Sequence, residues 1–508
     1  MLAPMKPFLL VTFLFFLTSA FAQNKQAGIF EAFSDVGNPK NAGSTTYDNA
    51  TQTYTLSGAG YNIWFGRDEF HYLYTKIKGD FILTANFEFI GTGTDAHRKI
   101  GWMVRSSLDE NAQHISAVAH GDGLTVLQWR ELRGALMRDP EDEIFFPKKN
   151  LKIIQIERVG KRVIMRVANW GEPLQTVGSH EITSMPEEVF AGIYICSHNV
   201  DVIEKAKVWN VRIEKTVPDN YDGYTNGALG SKLEIINVAD GIRKVIHESD
   251  KRFEAPNWMP DGKKILFNGG GSLYTIPVAG GTPEKINTDF ANRNNNDHGI
   301  SFDGKTLAIS HHREGLSGGG STIYVLPLAG GTPKQITEKT PSYWHGWAPN
   351  NKEVIYVAQR DGKNYDIYKS SINGGQEIKL TANVGSHVDG PEYSPDGKYI
   401  YFNASYTGTM QIWRMKPDGS AQEQITFDEY NNWFPHFSPD GKWIALISFP
   451  PTIDPKDHPF YKRVMLRLMP ASGGAPKVIA YLLGGQGTIN VPSWSPDSKY
   501  LSFVSYSK

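Results

Sequence analysis

The segment Tyr393-Ser-Pro-Asp-Gly-Lys398 decides the fold, because close copies of it recur through the second half of the chain. Each copy joins an aromatic or apolar residue to an Asp-Gly type of turn and a lysine, and apolar strand-sized segments follow it. The copies lie at residues 258–263, 302–305, 347–352, 393–398, 437–442 and 494–499. Four strand-sized segments repeating every roughly 40 to 50 residues predict the blades of a β-propeller.

The last copy is incomplete, since only two strands fit before Lys508. Two further strand-sized segments, 232–238 and 243–247, precede the first copy and flank the turn Asp240-Gly241. Strands from both ends of the repeat region would close the ring and leave no open edge between the first and last blades. We therefore predict a six-bladed propeller over residues 231–508.

The repeats resemble those of the TolB-like, WD-related propeller family. The resemblance is carried by the Ser-Pro-Asp-Gly-Lys turns, by Ile-Tyr or Ile-Trp strands, and by trailing Gln-Ile-Thr or Lys-Leu-Thr ends. These strands and ends are Ile323-Tyr324, Ile367-Tyr368, Ile412-Trp413, and residues 335–337, 379–381 and 424–426. The family implies a binding platform, but some of its relatives are enzymes, so the fold alone does not name a function.

Residues 24–215 have a different pattern, with about nine alternating strands and no segment of helical period. This predicts a two-sheet β-sandwich, and segments such as 79–88, 100–105 and 151–158 resemble concanavalin-like, laminin-G-type (jelly-roll) domains. That resemblance implies a concave face that binds carbohydrate or protein, although core packing is the commoner role of large aromatic residues. The candidate exposed side chains are Trp64, Phe70, His71, Tyr72, Trp129 and Trp170. Residues 216–230 are predicted to be a linker.

The N-terminus has the pattern of a secretory signal peptide over residues 1–22. Lys6 precedes an uncharged apolar run at 8–17, and Ala20-Phe21-Ala22 has the small residues that signal peptidase requires. We predict cleavage after Ala22 and a periplasmic or secreted mature protein with no integral membrane segment.

Composition argues against several classes of partner. The chain has 52 basic and 53 acidic residues, which gives no electrostatic case for nucleic acid. Cys196 is the only cysteine, so neither an intramolecular disulfide nor a cysteine-based zinc site can form. The glycine runs 269–271 and 318–320 lack a following helix, so no nucleotide cofactor is expected.

Histidines of the propeller concentrate on one face, where the inner strands begin. Aligning the blades on the turn aspartate predicts a polar and aromatic collar around the channel mouth, and the insertion 449–462 is a candidate lid. The candidate ligand-binding residues are Glu254, Asn296, His298, Tyr343, Trp344, Asn431, Asn432, Trp433 and Asn490. The candidate catalytic residues are His345, His387, Asp389, Glu392 and His436.

Imidazoles and carboxylates at one mouth suit acid/base chemistry, hydrogen bonding to a hydroxyl-rich ligand, or a divalent metal. For a metal, the candidates are His298, His345 and His387, with manganese, calcium or zinc as the ion. The leading hypothesis is therefore an exported protein that binds or processes glycans at the propeller mouth. If it is an enzyme, a polysaccharide lyase or glycoside hydrolase is expected. The alternative is a non-enzymatic platform for an envelope protein, as the resemblance to TolB implies.

Overall fold

The computed structural model describes residues 26–316, 318–362, 364–382 and 385–508. The chain is all-β, as predicted; the described residues contain one short 3₁₀ turn, Gly318–Gly320, and no α-helix. The predicted signal peptide lies outside the described residues. No helix among the described residues is long and apolar enough to cross a membrane.

The first half of the chain forms fourteen strands. They are β1 (Ala32–Val36), β2 (Ser44–Asp48), β3 (Thr53–Gly58), β4 (Phe70–Lys78), β5 (Phe81–Ile90), β6 (Lys99–Arg105), β7 (His114–His120), β8 (Thr125–Arg130), β9 (Glu143–Phe145), β10 (Ile153–Val159), β11 (Arg162–Ala168), β12 (Gln175–Glu181), β13 (Glu188–Cys196) and β14 (Glu204–Lys215).

These strands make two seven-stranded antiparallel sheets, ordered β1-β4-β13-β6-β7-β8-β9 and β12-β11-β10-β5-β14-β3-β2. Alternate residues of both sheets meet in one buried core, as the period-two pattern of the sequence requires. Trp102 of the first sheet is fully buried there, and its indole donates to the carbonyl oxygen of Ile154 in the second sheet at 3.1 Å. The likeness to a concanavalin or laminin-G jelly-roll stays a prediction.

The second half forms the strands of the predicted propeller. They are β15 (Gly230–Asn237), β16 (Arg243–Ser249), β17 (Phe253–Trp258), β18 (Lys264–Gly269), β19 (Ser272–Pro277), β20 (Glu284–Lys285), β21 (Asn294–Ile300), β22 (Thr306–His312), β23 (Ser321–Pro327), β24 (Lys334–Gln335), β25 (Ser342–Trp347), β26 (Glu353–Gln359), β27 (Tyr365–Ser371), β28 (Ile378–Lys379), β29 (Val388–Tyr393), β30 (Ile400–Ala404), β31 (Gln411–Met415), β32 (Glu423–Gln424), β33 (Asn431–Phe437), β34 (Trp443–Phe449), β35 (Phe460–Pro470), β36 (Lys477–Gly485) and β37 (Tyr500–Ser507).

Strands β17 to β36 make five consecutive four-stranded blades, and the sixth blade combines β37 with β15 and β16. Its inner edge is a single bridge between Trp494 and Leu501. The six-bladed propeller is therefore confirmed, and the pairing of β37 with β15 closes the ring with both ends of the repeat region, as predicted. Closure removes the unpaired edges that an open ring of blades would expose.

The recurring turn has a local physical cause. In blade 4 the hydroxyl of Ser394 donates to Asp396 at 2.8 Å, and the same carboxylate accepts the backbone N–H of Lys398 at 3.1 Å. Gly397 takes the left-handed conformation, with φ of 69°, which a glycine adopts at little cost. The repeated sequence thus encodes the turn between the first two strands of a blade.

The two halves are in contact through the outer face of the second sheet and the sides of blades 5 and 6. Arg212 of β14 donates to Glu234 of β15 through its Nε at 3.1 Å, and Glu234 also accepts from Arg243. Gly171 pairs with Val478 of blade 5 in an isolated bridge. Trp170 lies against Gly241 at this interface, so its ring faces the propeller.

Candidate functional site

Each inner strand of the first five blades carries a bulge immediately before its last residues. In blades 1, 4 and 5 the residue that follows the collar position is left-handed: Ala255, Gly390 and Phe434 have φ between 53° and 57°. A bulge shifts the register and re-aims the neighbouring side chains. The strict alternation of an ideal strand therefore does not hold at the mouth, and the collar cannot be read off as two regular rings.

Asp389 is the centre of the site. Its Oδ1 lies 2.8 Å from Nε2 of His345, and its Oδ2 lies 3.4 Å from Nε2 of His458 and 3.8 Å from Nε2 of His387. Burial alone would raise the pKa of Asp389, but the three imidazoles, His345 above all, hold it well below its usual range. Three histidines from three blades thus converge on one ionised carboxylate.

The same contact raises the pKa values of two of the imidazoles. Burial opposes the charged form of His345, but Asp389 and, more weakly, Asp297 outweigh it, and the pKa of His345 is raised. The pKa of His458 is raised in the same way by its hydrogen bond and charge interaction with Asp389. Both imidazoles therefore bind a proton more readily than they would at the same burial without Asp389.

Two further carboxyl groups lie at the mouth and are protonated more easily than usual. Burial, together with the nearby charge of Asp389, raises the pKa of Asp297 to about 6. Burial, with Asp297 as an additional cause, raises the pKa of Glu254 to about 7, and its Oε2 is buried without a hydrogen-bond partner. Glu254 was a predicted site residue. Asp297 was not, because the blades were compared at the positions of Asn296 and His298, and Asp297 lies between them.

His458 was also absent from the predicted site residues, although the insertion that carries it was singled out. The insertion lies against the mouth: Lys456 donates to the carbonyl oxygen of Gly385 at 2.7 Å, and the backbone oxygen of Ile453 accepts from Asn431 at 3.0 Å. The ring of His458 packs edge-on against Trp433, with 4.4 Å between centroids. The sequence did contain a signal for His458, because it is a histidine within the long insertion 449–462 on the mouth face.

Glu392 and His436 form a separate buried pair. Nδ1 of His436 lies 2.6 Å from a carboxylate oxygen of Glu392, whose other oxygen accepts from the backbone N–H of Phe437 at 3.0 Å. Nε2 of His436 contacts the backbone oxygen of Ile489. All four polar atoms of the two side chains are used in contacts within the protein. The structure therefore gives this pair a role in joining blades, and neither side chain has a polar atom left for the predicted catalytic role.

The indole side chains of the collar are buried, although the N–H groups of Trp344 and Trp433 have no hydrogen-bond partner, and the amide side chains are used within the protein. Trp344 is 1% exposed and packs on Gly299 of the preceding blade, and Trp433 is completely buried. Asn432 bonds to Gln411, Thr426, Asp428, Ser448 and Arg467, and Asn431 bonds to Met410 and Ile453. This burial does not fit the prediction that these residues hold a saccharide.

The remaining predicted site residues vary in their surroundings. His298 is fully buried, neither ring nitrogen has a hydrogen-bond partner, and burial lowers its pKa to about 4. Asn296 and Asn490 are buried, and Asn490 accepts from the backbone N–H of Gly487 at 2.6 Å. Tyr343 packs near Tyr365, with 6.1 Å between ring centroids.

Among the described residues, no three His, Cys, Asp or Glu side chains are arranged to hold a metal ion.

Several large apolar side chains are exposed on the same face as the cluster. Phe290 and Phe427 follow the outer strands of blades 1 and 4 and are 47% and 76% exposed. Leu316 lies in the loop between β22 and β23 and is 42% exposed. Since inner strands begin on this face and second strands end there, the three side chains lie on the mouth face, on blades 1, 2 and 4, and we call them its rim.

Comparison with known proteins places the propeller in a family. The model of the TolB β-propeller domain matches residues 316–451. An uncharacterised protein of Agrobacterium fabrum is 47% identical over 281 residues, which are 55% of this chain and 94% of that protein. The solved structure of a candidate TolB from Agrobacterium tumefaciens is 46% identical and superimposes with a TM-score of 0.52, covering 56% of this chain and all of the other. The chain belongs to the TolB β-propeller family.

More distant TolB proteins match only in part. The Tol-Pal system protein TolB of Francisella tularensis is 30% identical over 224 residues, 42% of this chain. The chain spans about half the length of that relative. The TolB-like assignment therefore covers the propeller fold, and what the whole relative does is not transferred with it.

The first half of this TolB-like chain presents few of the aromatic residues that were candidates for sugar stacking. Phe70, His71, Tyr72 and Trp129 are each at most 5% exposed, so they pack inside the protein. The hydroxyl of Tyr72 donates to two backbone oxygens, those of Met103 and Phe190. Core packing, the alternative role of these side chains, is the one that the structure supports.

Proposed function

We propose that the chain is an exported, periplasmic TolB-like platform that binds an envelope protein at the propeller mouth. The observation that carries this proposal is the exposed apolar rim of Phe290, Leu316 and Phe427 on the face that also holds the charged cluster. Aromatic residues are enriched at protein-binding surfaces relative to the rest of a protein's surface. Membership of the TolB family and the name of the Francisella tularensis relative support the same reading.

The burial of the predicted sugar-binding residues supports this choice over glycan binding. A saccharide would be held by open aromatic faces and free amides, and Trp344, Trp433, Asn431 and Asn432 offer neither in this structure. A protein partner does not require them, because its contacts would begin at the rim.

Site-directed photo-crosslinking tests the proposal. A photoreactive phenylalanine analogue would replace Phe290 or Phe427 at the rim, and in a matched control it would replace Phe302, which is 52% exposed and lies in the turn at the opposite face. We expect both rim positions to cross-link the same envelope protein in cells, and Phe302 to give no such product. Equal products from all three positions would contradict a mouth-specific partner.

Acid/base action on a hydroxyl-rich glycan is the second candidate, and one observation favours it. Asp297 and Glu254 have pKa values raised to about 6 and about 7, which suits proton transfer near neutral pH. A panel of polysaccharides would be incubated with the wild type and with Asp389→Asn, and new reducing or unsaturated ends would be measured. Cleavage by the wild type that the substitution abolishes would favour an enzyme.

The proposed divalent metal is tested separately. Elemental analysis after reconstitution with manganese, calcium or zinc would compare the wild type with the double variant His345→Ala/His387→Ala. A stoichiometric metal that is lost in the variant would support the metal site; no metal in either protein would contradict it.

A further inference from the structure

A cleft of about 680 Å³ lies between the two halves of the chain, away from the cluster at Asp389. One wall is the outer face of the second sheet, the other is blade 5, and the start of the linker closes one end. Its lining includes Ile82 and Arg166 from the sheet, Val217 from the linker, and Ile453, Arg463 and Leu482 from blade 5. Small-molecule sites commonly have this volume and lie at such interfaces between domains.

The polar part of the cleft is built around a buried carboxylate. Glu157, whose side chain is 2% exposed, accepts from Nη1 of Arg166 at 2.6 Å, and its two oxygens accept from Arg463 through Nη1 at 2.9 Å and through Nη2. Arg166 also donates to Gln155 at 3.2 Å. Burial alone would raise the pKa of Glu157, but the two arginines outweigh it and the pKa is lowered. One negative charge therefore faces two guanidinium groups.

This arrangement leaves positive charge available to a ligand. The side chain of Arg463 is 44% exposed, and that of Arg166 is 22% exposed, so both retain N–H groups that Glu157 does not use. Lys215 and Lys462 also line the cleft, against the acidic residues Glu214 and Asp219. Burial raises the pKa of Glu214, which disfavours its negatively charged form and so reduces how far it offsets the positive charge of the cleft.

The rest of the wall is largely apolar. Ile82, Leu174, Val217 and Leu482 lie on both sides of the cleft, and the rings of Tyr430 and Tyr481 complete it. A ligand that fills this space removes apolar surface from water, which contributes to its affinity roughly in proportion to the buried area.

We propose that this cleft binds an anionic amphiphile, a small molecule with one carboxylate or phosphate head and an apolar body. Its head accepts hydrogen bonds from the N–H groups of Arg166 and Arg463 that Glu157 does not use, because charge-assisted bonds from a guanidinium to carboxylate or phosphate oxygens are strong. Its body lies between Ile82 and Leu482. Since one arginine comes from each half, the ligand joins the sheet to blade 5.

Calorimetric titration of the mature chain tests the chemistry of the ligand. Decanoate and decyl phosphate carry the two anionic heads, whereas decanol and decyltrimethylammonium are matched neutral and cationic probes. We expect one equivalent of an anion to bind at least about tenfold more tightly than decanol, and the tighter of the two anions identifies the head. Equal binding of decanol and both anions would overturn the proposal, as would many weak equivalents.

Variants test the position. Arg463→Gln is expected to weaken anion binding at least about tenfold, while Arg414→Gln, which changes a surface arginine paired with Glu423 on blade 4, leaves it unchanged. Ile82→Trp fills the cleft without altering its charge, and it should abolish binding even if Arg463→Gln disturbs the fold. Binding that survives Ile82→Trp in a protein with wild-type melting behaviour would overturn the assignment.

Discussion

Nε2 of His458, in the insertion of blade 5, lies 3.4 Å from the carboxylate of Asp389 in the inner strand of blade 4. The two residues are 69 positions apart, so no local sequence pattern joins them. Their contact fixes one end of the insertion over the charged cluster. Together with the contact of His345, it explains why the pKa of Asp389 is lowered while those of His345 and His458 are raised.

Replacing Asp389 tests this explanation. Asp389→Asn removes the main charge that raises the pKa values of His345 and His458, so both should fall, because burial is then opposed only by weaker neighbours. NMR titration of the histidine ring signals measures this. Asp396→Asn, at an exposed turn on the opposite face, is the control and should leave both values unchanged; equal effects of the two substitutions would contradict the cluster.

Glu254 should make stability depend on pH. Its folded-state pKa, about 7, exceeds the ordinary 4.5, so the wild type loses stability as the pH rises from about 4.5 to about 7. Glu254→Gln has no carboxyl group to titrate, so it should not lose this stability. The free energy of unfolding of the variant minus that of the wild type should therefore increase by up to about 3 kcal/mol over that range and then level off. Urea unfolding at several pH values measures it. The exposed Glu284→Gln should show no such trend.

The pair Glu392 and His436 should behave as a structural element. Either Glu392→Gln or His436→Ala leaves a buried polar partner unsatisfied, and we expect each to reduce the free energy of unfolding by about 2 to 4 kcal/mol. Denaturant titration measures the loss, with His312→Ala as a less buried mouth-face control. A loss of ligand binding or activity at unchanged stability would restore the predicted catalytic role.

Glu234 should stabilise the junction of the two halves and the closed ring. It is fully buried and accepts from Arg212, Arg243 and Ser505. Burial would raise its pKa, but the arginines outweigh this and lower the pKa to about 2. Its contribution is therefore complete above the ordinary value of 4.5 and is lost as the pH falls towards 2.

Substitution of Glu234 tests that contribution. Glu234→Gln should cost about 3 to 5 kcal/mol at pH 7 and flatten the loss of stability between pH 5 and 3. Thermal melts across this range measure both effects. Glu248→Gln, at an exposed residue paired with Lys232, should resemble the wild type; an equal effect there would count against the junction.

The candidate site could be predicted only in part. The concentration of histidines on one face led to His345, His387 and Asp389, which the structure brings together. The same alignment also led to Asn431, Asn432 and Trp344, whose side chains turn into contacts between strands and blades. Asn431 and Asn432 lie in regular register before the bulge of blade 5, and their amides bond to neighbouring strands and to the insertion, which a comparison of repeats does not reveal.

The sequence by itself determined the all-β class, the six blades and the strands that close the ring. Those features depend on local turns and on a period of apolar residues, and each repeated unit carries both. Only the tertiary structure decided which side chains share the mouth, that His458 and Asp297 belong there, and that a charged cleft separates the halves. These depend on where strands bulge and on contacts between residues far apart in the chain, which a linear pattern does not contain.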